Sequence, residues 1–134
     1  MREPTQSMIE FLAEPLIATL GSIGPHGPHL APIWFEYTNG EFLFITPSAS
    51  QKARNLDRDS RAGISIEARE PTRAVMANGR ALIEPLEDLA VLARMAARYY
   101  GSAARGQQYA DEAPKRDRIL IRVRPEHWLK YGAL

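Results

Sequence analysis

The dipeptide Asn39-Gly40, set between "WFEY" and "FLFIT", constrains this chain more than any other feature. Both residues tolerate positive φ, so the pair is the strongest short signal for a two-residue β-hairpin, and it sets two antiparallel strands side by side. Similar segments lie around it. "LIATLGSI" (Leu16 to Ile23) and "HLAPIWFEY" (His29 to Tyr37) flank a "GPHGP" turn, and "RAGISIEA" (Arg61 to Ala68) alternates in strand fashion. "RAVMANGRALIEP" is long and strand-compatible, with Asn78-Gly79 marking a bulge, and "RILIRVRP" (Arg118 to Pro125) sets Ile119, Ile121 and Val123 against charges.

Helical patterns are fewer. Thr5 to Ala13 places Met8, Ile9 and Leu12 at helical spacing behind a Thr5 cap, with Pro15 as its end. "PLEDLAVLARMAARYYG" is amphipathic, with Leu89, Leu92, Met95, Ala96 and Tyr99 on one face and Gly101 as its stop. Ser102 to Arg116 is small and polar and reads as a mobile loop. Six short strands with one long helix predict a mainly β fold, a six-stranded antiparallel barrel with flanking helices. A βαβ sheet would need helices between successive strands.

The chain has 134 residues, 45% apolar and 25% charged with both signs mixed, which predicts one globular domain spanning 1–134. The absence of cysteine excludes disulfides, thiolate catalysis and Cys-based metal sites. No signal-peptide pattern and no run of about 18 apolar residues is present, so a cytoplasmic protein with no membrane partner is expected. A net charge of +1 argues against nucleic acid and leaves room for a local cationic site for a small anion.

"FLFI" (Phe42 to Ile45) and "PIWF" (Pro32 to Phe35) are continuously apolar, whereas a barrel strand with one wet face alternates. Their outer face should be covered by the helix or by a second subunit, and a homodimer is expected on that basis.

The segment "TPSASQKARNL" (Thr46 to Leu56) follows the FLFI strand. Ser48 and Gln51 fit a capping box, so a helix is predicted to begin just after Ser48, its free N–H groups facing the strand end with Lys52 in the first turn. Ala53 and Leu56 mark the buried side, Lys52 flanks it, and Arg54 and Asn55 point further out. This pattern suits an anion site and equally a capped, solvated surface helix.

No catalytic triad or carboxylate pair is evident. His26 and His29 lie in a turn and strand start without nearby acids, and with distant His127 they suit structural or surface roles, so no metal is assigned.

The run "HLAPIWFEYTNGEFLFITPSASQKARNLDRDSRAGISI" resembles the FMN-binding split barrels related to pyridoxamine 5′-phosphate oxidase, particularly their short branch of flavin- and deazaflavin-dependent oxidoreductases. The similarity continues through "VMANGRALIEP" and "LARMAARYYG" to "ILIRVRPEHWLKYG". The resemblance implies cofactor contacts along Ala31, Pro32, Ile33 and Trp34, at Ile45 and Thr46, and at Ser48, Ser50, Gln51 and Lys52. A longer anionic tail would reach Arg54 and Asn55. The chain departs from the oxidase at Leu30 and Gln51, where the oxidase has arginines, and at Ala74, where a glutamine touches the ring. It also stops shortly after Trp128, without the oxidase's substrate-binding extension, so vitamin B6 oxidation is not expected.

"K-A-R-N-L" with "P-I-W-F" is closer to the branch using the 8-hydroxy-5-deazaflavin coenzyme, coenzyme F-420, with FMN as the other choice. The resemblance implies an oxidoreductase passing hydride to a small conjugated or heterocyclic acceptor, with the cofactor supplying the chemistry. Catalytic side chains stay unassigned: Tyr37, His29 or solvent is the proton donor. Trp34 either stacks near the cofactor ring or fills the dimer interface. The alternative is a non-catalytic flavin- or haem-binding dimer that carries its ligand.

Overall fold

The computed structural model describes residues 1–114 and 117–134. Seven strands form one antiparallel sheet: β1 (Ala18–Gly24), β2 (Gly27–Ile33), β3 (Glu36–Thr38), β4 (Glu41–Pro47), β5 (Arg61–Ala68), β6 (Arg73–Pro85) and β7 (Arg118–Gly132). Their order is β2-β1-β5-β6-β7-β4-β3. Helices α1 (Gln6–Leu12), α2 (Gln51–Arg58), α3 (Leu89–Tyr100) and α4 (Ala103–Glu112) complete the chain.

The Asn39-Gly40 hairpin forms as its sequence dictates. Asn39 and Gly40 take φ of 53° and 78°, and Thr38 pairs with Glu41 across the turn. The single strand expected over His29–Tyr37 is instead two strands, which raises the count from six to seven. The chain leaves β2 at Ile33, crosses through Trp34 and Phe35, and enters β3 at Glu36, so β2 and β3 stand at opposite ends of the strand order. They are joined by the chain and not by a ladder, which is where the barrel is split.

The crossing is held from α3. Arg98 donates from Nε to the Phe35 carbonyl at 2.9 Å, and from its two Nη groups to the carbonyls of Leu12, Ala13 and Glu14. One guanidinium therefore satisfies the last carbonyls of α1 and ties them to the split.

The main core fills one face of the sheet, with Leu20, Phe42, Phe44, Ile64, Ile66, Val75, Ile121 and Val123 buried beneath Met8, Phe11 and Leu12 of α1. Ile9 of the expected stripe is exposed and Phe11 takes the inward position. On the other face of β4, Leu43 packs with Met95 and Leu120, and Trp34, Ile45 and Tyr99 join them. Helix α3 of the same chain thus covers the second face of the FLFI strand, and this accounts for its unbroken apolar run without a partner subunit.

Leu89 is exposed, contrary to its expected place on the packed face of α3, because that face begins at Leu92. The segment expected as a loop is largely helix α4, capped by Ser102, whose hydroxyl accepts the Arg105 N–H. A Cβ at Gly106 would meet the Ala93 carbonyl at 2.5 Å, so α4 lies directly on the α3 backbone by virtue of having glycine there. Lys115 and Arg116, the end of that expected loop, lie outside the described residues. The bulge expected at Asn78-Gly79 is present as a register shift against β7. Strand β7 runs on to Gly132, so most of the tail after Pro125 continues the ladder with β6.

Candidate functional site

Helix α2 starts two residues later than the capping-box spacing predicts. Ser50, not Ser48, is the cap: its Oγ accepts the Ala53 N–H at 3.2 Å. Ser48 instead donates its backbone N–H to the Asp117 carbonyl, and Ser50 closes a turn onto the Pro47 carbonyl. Gln51 and Lys52 become the first two helical residues, whose N–H groups have no acceptor within the helix.

The Ser50 hydroxyl also accepts from Thr46 Oγ1 at 3.0 Å. Both lone pairs are occupied, and its own proton, which makes no hydrogen bond among the described residues, is available to an outside oxygen. The donor set at this strand end is therefore the Ser50 O–H, the N–H groups of Gln51 and Lys52, and the ammonium of the half-buried residue Lys52, which is in no ion pair among the described residues. Such a set fits a phosphate.

The rest of α2 is committed elsewhere. The Gln51 amide donates to Asn55 Oδ1 at 2.7 Å, and its carbonyl accepts from Arg54, which also donates to the Ala49 carbonyl. Asn55, expected to point outward, is fully buried and donates to Ser22 Oγ of β1 at 3.0 Å. It anchors α2 to the sheet, a role the sequence hid because its partner lies 33 residues away.

Behind this junction, Trp34, Ile45 and Thr46 line a cavity of about 240 Å³ closed by Leu92 and Met95 of α3, Tyr109 of α4 and Arg118 of β7. Trp34 stacks on Tyr99 with ring centroids 4.7 Å apart and planes 11° from parallel, and Tyr109 lies 5.5 Å away at 46°. Tyr99 in turn accepts the Phe35 N–H at 2.9 Å and donates to the Leu16 carbonyl at 2.8 Å. Burial holds its phenol above the ordinary tyrosine range, against a lowering by the Phe35 backbone and Arg98. Tyr109 and Arg118 went unrecognised as site residues. The signal for Arg118 was its period-2 relation to Leu120, which places both on the α3 side of β7.

The remaining site expectations are dispersed. Ala31 and Ile33 point toward the core side of β2, opposite Leu20 and Ala18, while Pro32 is exposed. Tyr37 packs on Phe42 and Trp128, away from the cavity, and burial, reinforced by Glu3, raises its pKa. His29 Nδ1 is buried without a hydrogen-bond partner among the described residues. Among the described residues no group of three or more His, Asp or Glu side chains is placed to hold a metal ion. No described helix is long and apolar enough to cross a membrane.

The family model described as pyridoxamine 5′-phosphate oxidase matches residues 4–132. The conserved hypothetical protein Rv2991 from Mycobacterium tuberculosis is similar in structure, with a TM-score of 0.73 at 27% identity over 97% of this chain and 86% of its own. A protein described as an F-420 reductase has a TM-score of 0.71 at 22% identity, over 96% of this chain and 98% of its own. HutZ, the haem storage protein from Vibrio cholerae, has a TM-score of 0.70 at 15% identity over 97% and 95%. At such identities these last two likenesses speak of fold alone. No curated protein matches the chain.

Proposed function

The chain belongs to the pyridoxamine 5′-phosphate oxidase family, and from that premise we propose that it is an oxidoreductase using reduced coenzyme F-420, or FMN, to pass a hydride to a small conjugated or heterocyclic acceptor. The observation that carries this reading is that Thr46 joins a phosphate-type donor set to an aromatic-walled cavity: it donates to Ser50 at the start of α2 and also lines the cavity. When bound, the coenzyme supplies the hydride chemistry and needs no side-chain nucleophile.

This chain's residues bind and orient. Ser50 and Lys52 hold the anionic part, and the backbone from Ala31 to Trp34 borders the ring. Leu92 and Met95 give the cavity an apolar floor. With Arg54 hydrogen-bonded to Gln51 and the Ala49 carbonyl, Lys52 is the cation in the first turn of α2 that has no hydrogen bond or ion pair among the described residues, and a tail passing it could also meet Arg54. The resemblance of K-A-R-N-L with P-I-W-F to the deazaflavin-using branch favours the deazaflavin over FMN.

The working unit in this reading is a homodimer. Its support is now the outer sheet face, where Leu30 is 70% exposed on β2 and Leu129 and Tyr131 are 63% and 65% exposed on β7. Between them Gly21 and Gly63 face each other across β1 and β5, leaving a low floor with no side chain in the way.

The test is direct. The purified protein is expected to bind F-420 or FMN, identified by absorbance and mass, and to oxidise the reduced coenzyme when acceptors are supplied. Binding without turnover across a broad acceptor panel would favour a carrier, and failure to bind either coenzyme would remove both flavin readings.

A further inference from the structure

We propose that the cavity between β4, α3 and α4 binds a single-ring aromatic or heteroaromatic monoanion, its ring against Trp34 and Tyr109 and its carboxylate on Arg118. Three observations converge on that ligand class. The first is size. About 240 Å³ lies below the ~300–1,000 Å³ typical of drug-sized sites, and it suits one ring with one substituent.

The second is the wall. Tyr99 stacks on one face of the Trp34 indole, Tyr100 meets it edge-on at 5.8 Å, and Tyr109 packs on it at 5.5 Å and 46°, so Trp34 and Tyr109 form one continuous aromatic wall of the cavity. Offset or tilted stacking of a planar guest is the arrangement aromatic side chains prefer. The floor, Leu92, Met95 and Ile45, has nothing to hydrogen-bond a polar ring edge.

The third is charge. Arg94 and Arg122 are ion-paired, to Glu36 and to Glu41 and Glu84. Arg118 has no carboxylate partner among the described residues, and among them its guanidinium makes one hydrogen bond, from Nη1 to the Pro114 carbonyl at 3.2 Å. A guanidinium has five donors in a fork matched to a carboxylate, so most of this one is unspent. No acidic residue lines the cavity, hence a monoanion is attracted and nothing in the wall repels it.

As the hydride acceptor's subsite this proposal rests on the coenzyme reading above. The experiment separates the two by omitting the coenzyme. Benzoate, nicotinate and neutral benzamide are titrated into the coenzyme-free protein and followed by the amide and indole NMR signals of Trp34, Leu92 and Met95. Saturable shifts are expected for both acids with Kd on the order of 1 mM or tighter, and benzamide should bind about tenfold more weakly or less.

Arg118→Met should weaken benzoate by about tenfold or more, and Tyr109→Ala, at an exposed helix position, by a smaller factor. No saturable shift, or benzamide and Arg118→Met indistinguishable from benzoate and wild type, overturns the proposal. Coenzyme affinity is measured on the same samples, so a cavity that binds rings in a protein that binds no coenzyme sinks only the coenzyme reading.

Discussion

The phenol oxygen of Tyr99 accepts the backbone N–H of Phe35 at 2.9 Å, and this bond holds the chain where it crosses from one end of the strand order to the other. Tyr99→Phe keeps the ring under Trp34 but strands the Phe35 N–H and the Leu16 carbonyl. It is expected to cost about 1–3 kcal/mol in urea unfolding, with the Trp34 stack intact by near-ultraviolet circular dichroism. A change below about 0.5 kcal/mol would show that the crossing is held by Arg98 alone.

Asn55 and Arg54 are neighbours with opposite roles. Asn55→Ala leaves the Gln51 amide and the Ser22 hydroxyl without their buried partner and should destabilise by about 2 kcal/mol, whereas Arg54→Ala should stay within about 0.5 kcal/mol. Equal effects would mean that α2 is not anchored through Asn55.

The two serines of the junction also separate. Ser50→Ala removes the α2 cap and the acceptor of Thr46, and a loss of about 0.5–2 kcal/mol is expected by chemical denaturation. Ser48→Ala, with no cap to lose, should be near neutral. The reverse order would restore the helix start that the capping-box spacing suggests.

Burial raises the pKa of both Tyr37 and Tyr99 from the ordinary value of 10.0. Above about pH 10 the unfolded chain loses these protons first, so it binds fewer than the folded chain and stability falls as pH rises toward the folded values. The urea midpoint should therefore drop as pH rises above the ordinary tyrosine value of 10.0, and Tyr37→Phe and Tyr99→Phe should each flatten that drop relative to their own value at about pH 8. A midpoint as steep in both variants as in wild type would assign the alkaline loss to other groups.

Much of the fold was legible because its signals are local. The Asn39-Gly40 turn, the Asn78-Gly79 bulge and the Gly101 stop each act through their own backbone. The break at Trp34-Phe35 was not legible, since a chain covered on both faces shows no alternation with which to place it. Helix α4 escaped because it packs through Gly106 and Ala110 and so carries no large apolar stripe. At the site, a capped helix start with Lys52 in its first turn was readable from spacing, but the spacing placed the cap at Ser48 where the structure has Ser50. Asn55, Tyr109 and Arg118 depended on partners brought together only by the fold.

The central claim is that the Ser50–Lys52 junction grips a coenzyme's anionic group. Its most direct test is the affinity of wild type and Lys52→Ala for F-420 and FMN, measured by isothermal titration with fold verified by circular dichroism. Loss of a charge-assisted contact predicts weaker binding by about 1.5–3 kcal/mol, or roughly 10- to 150-fold. Equal affinity in the two proteins would return Lys52 to the solvated face of α2 and contradict the site.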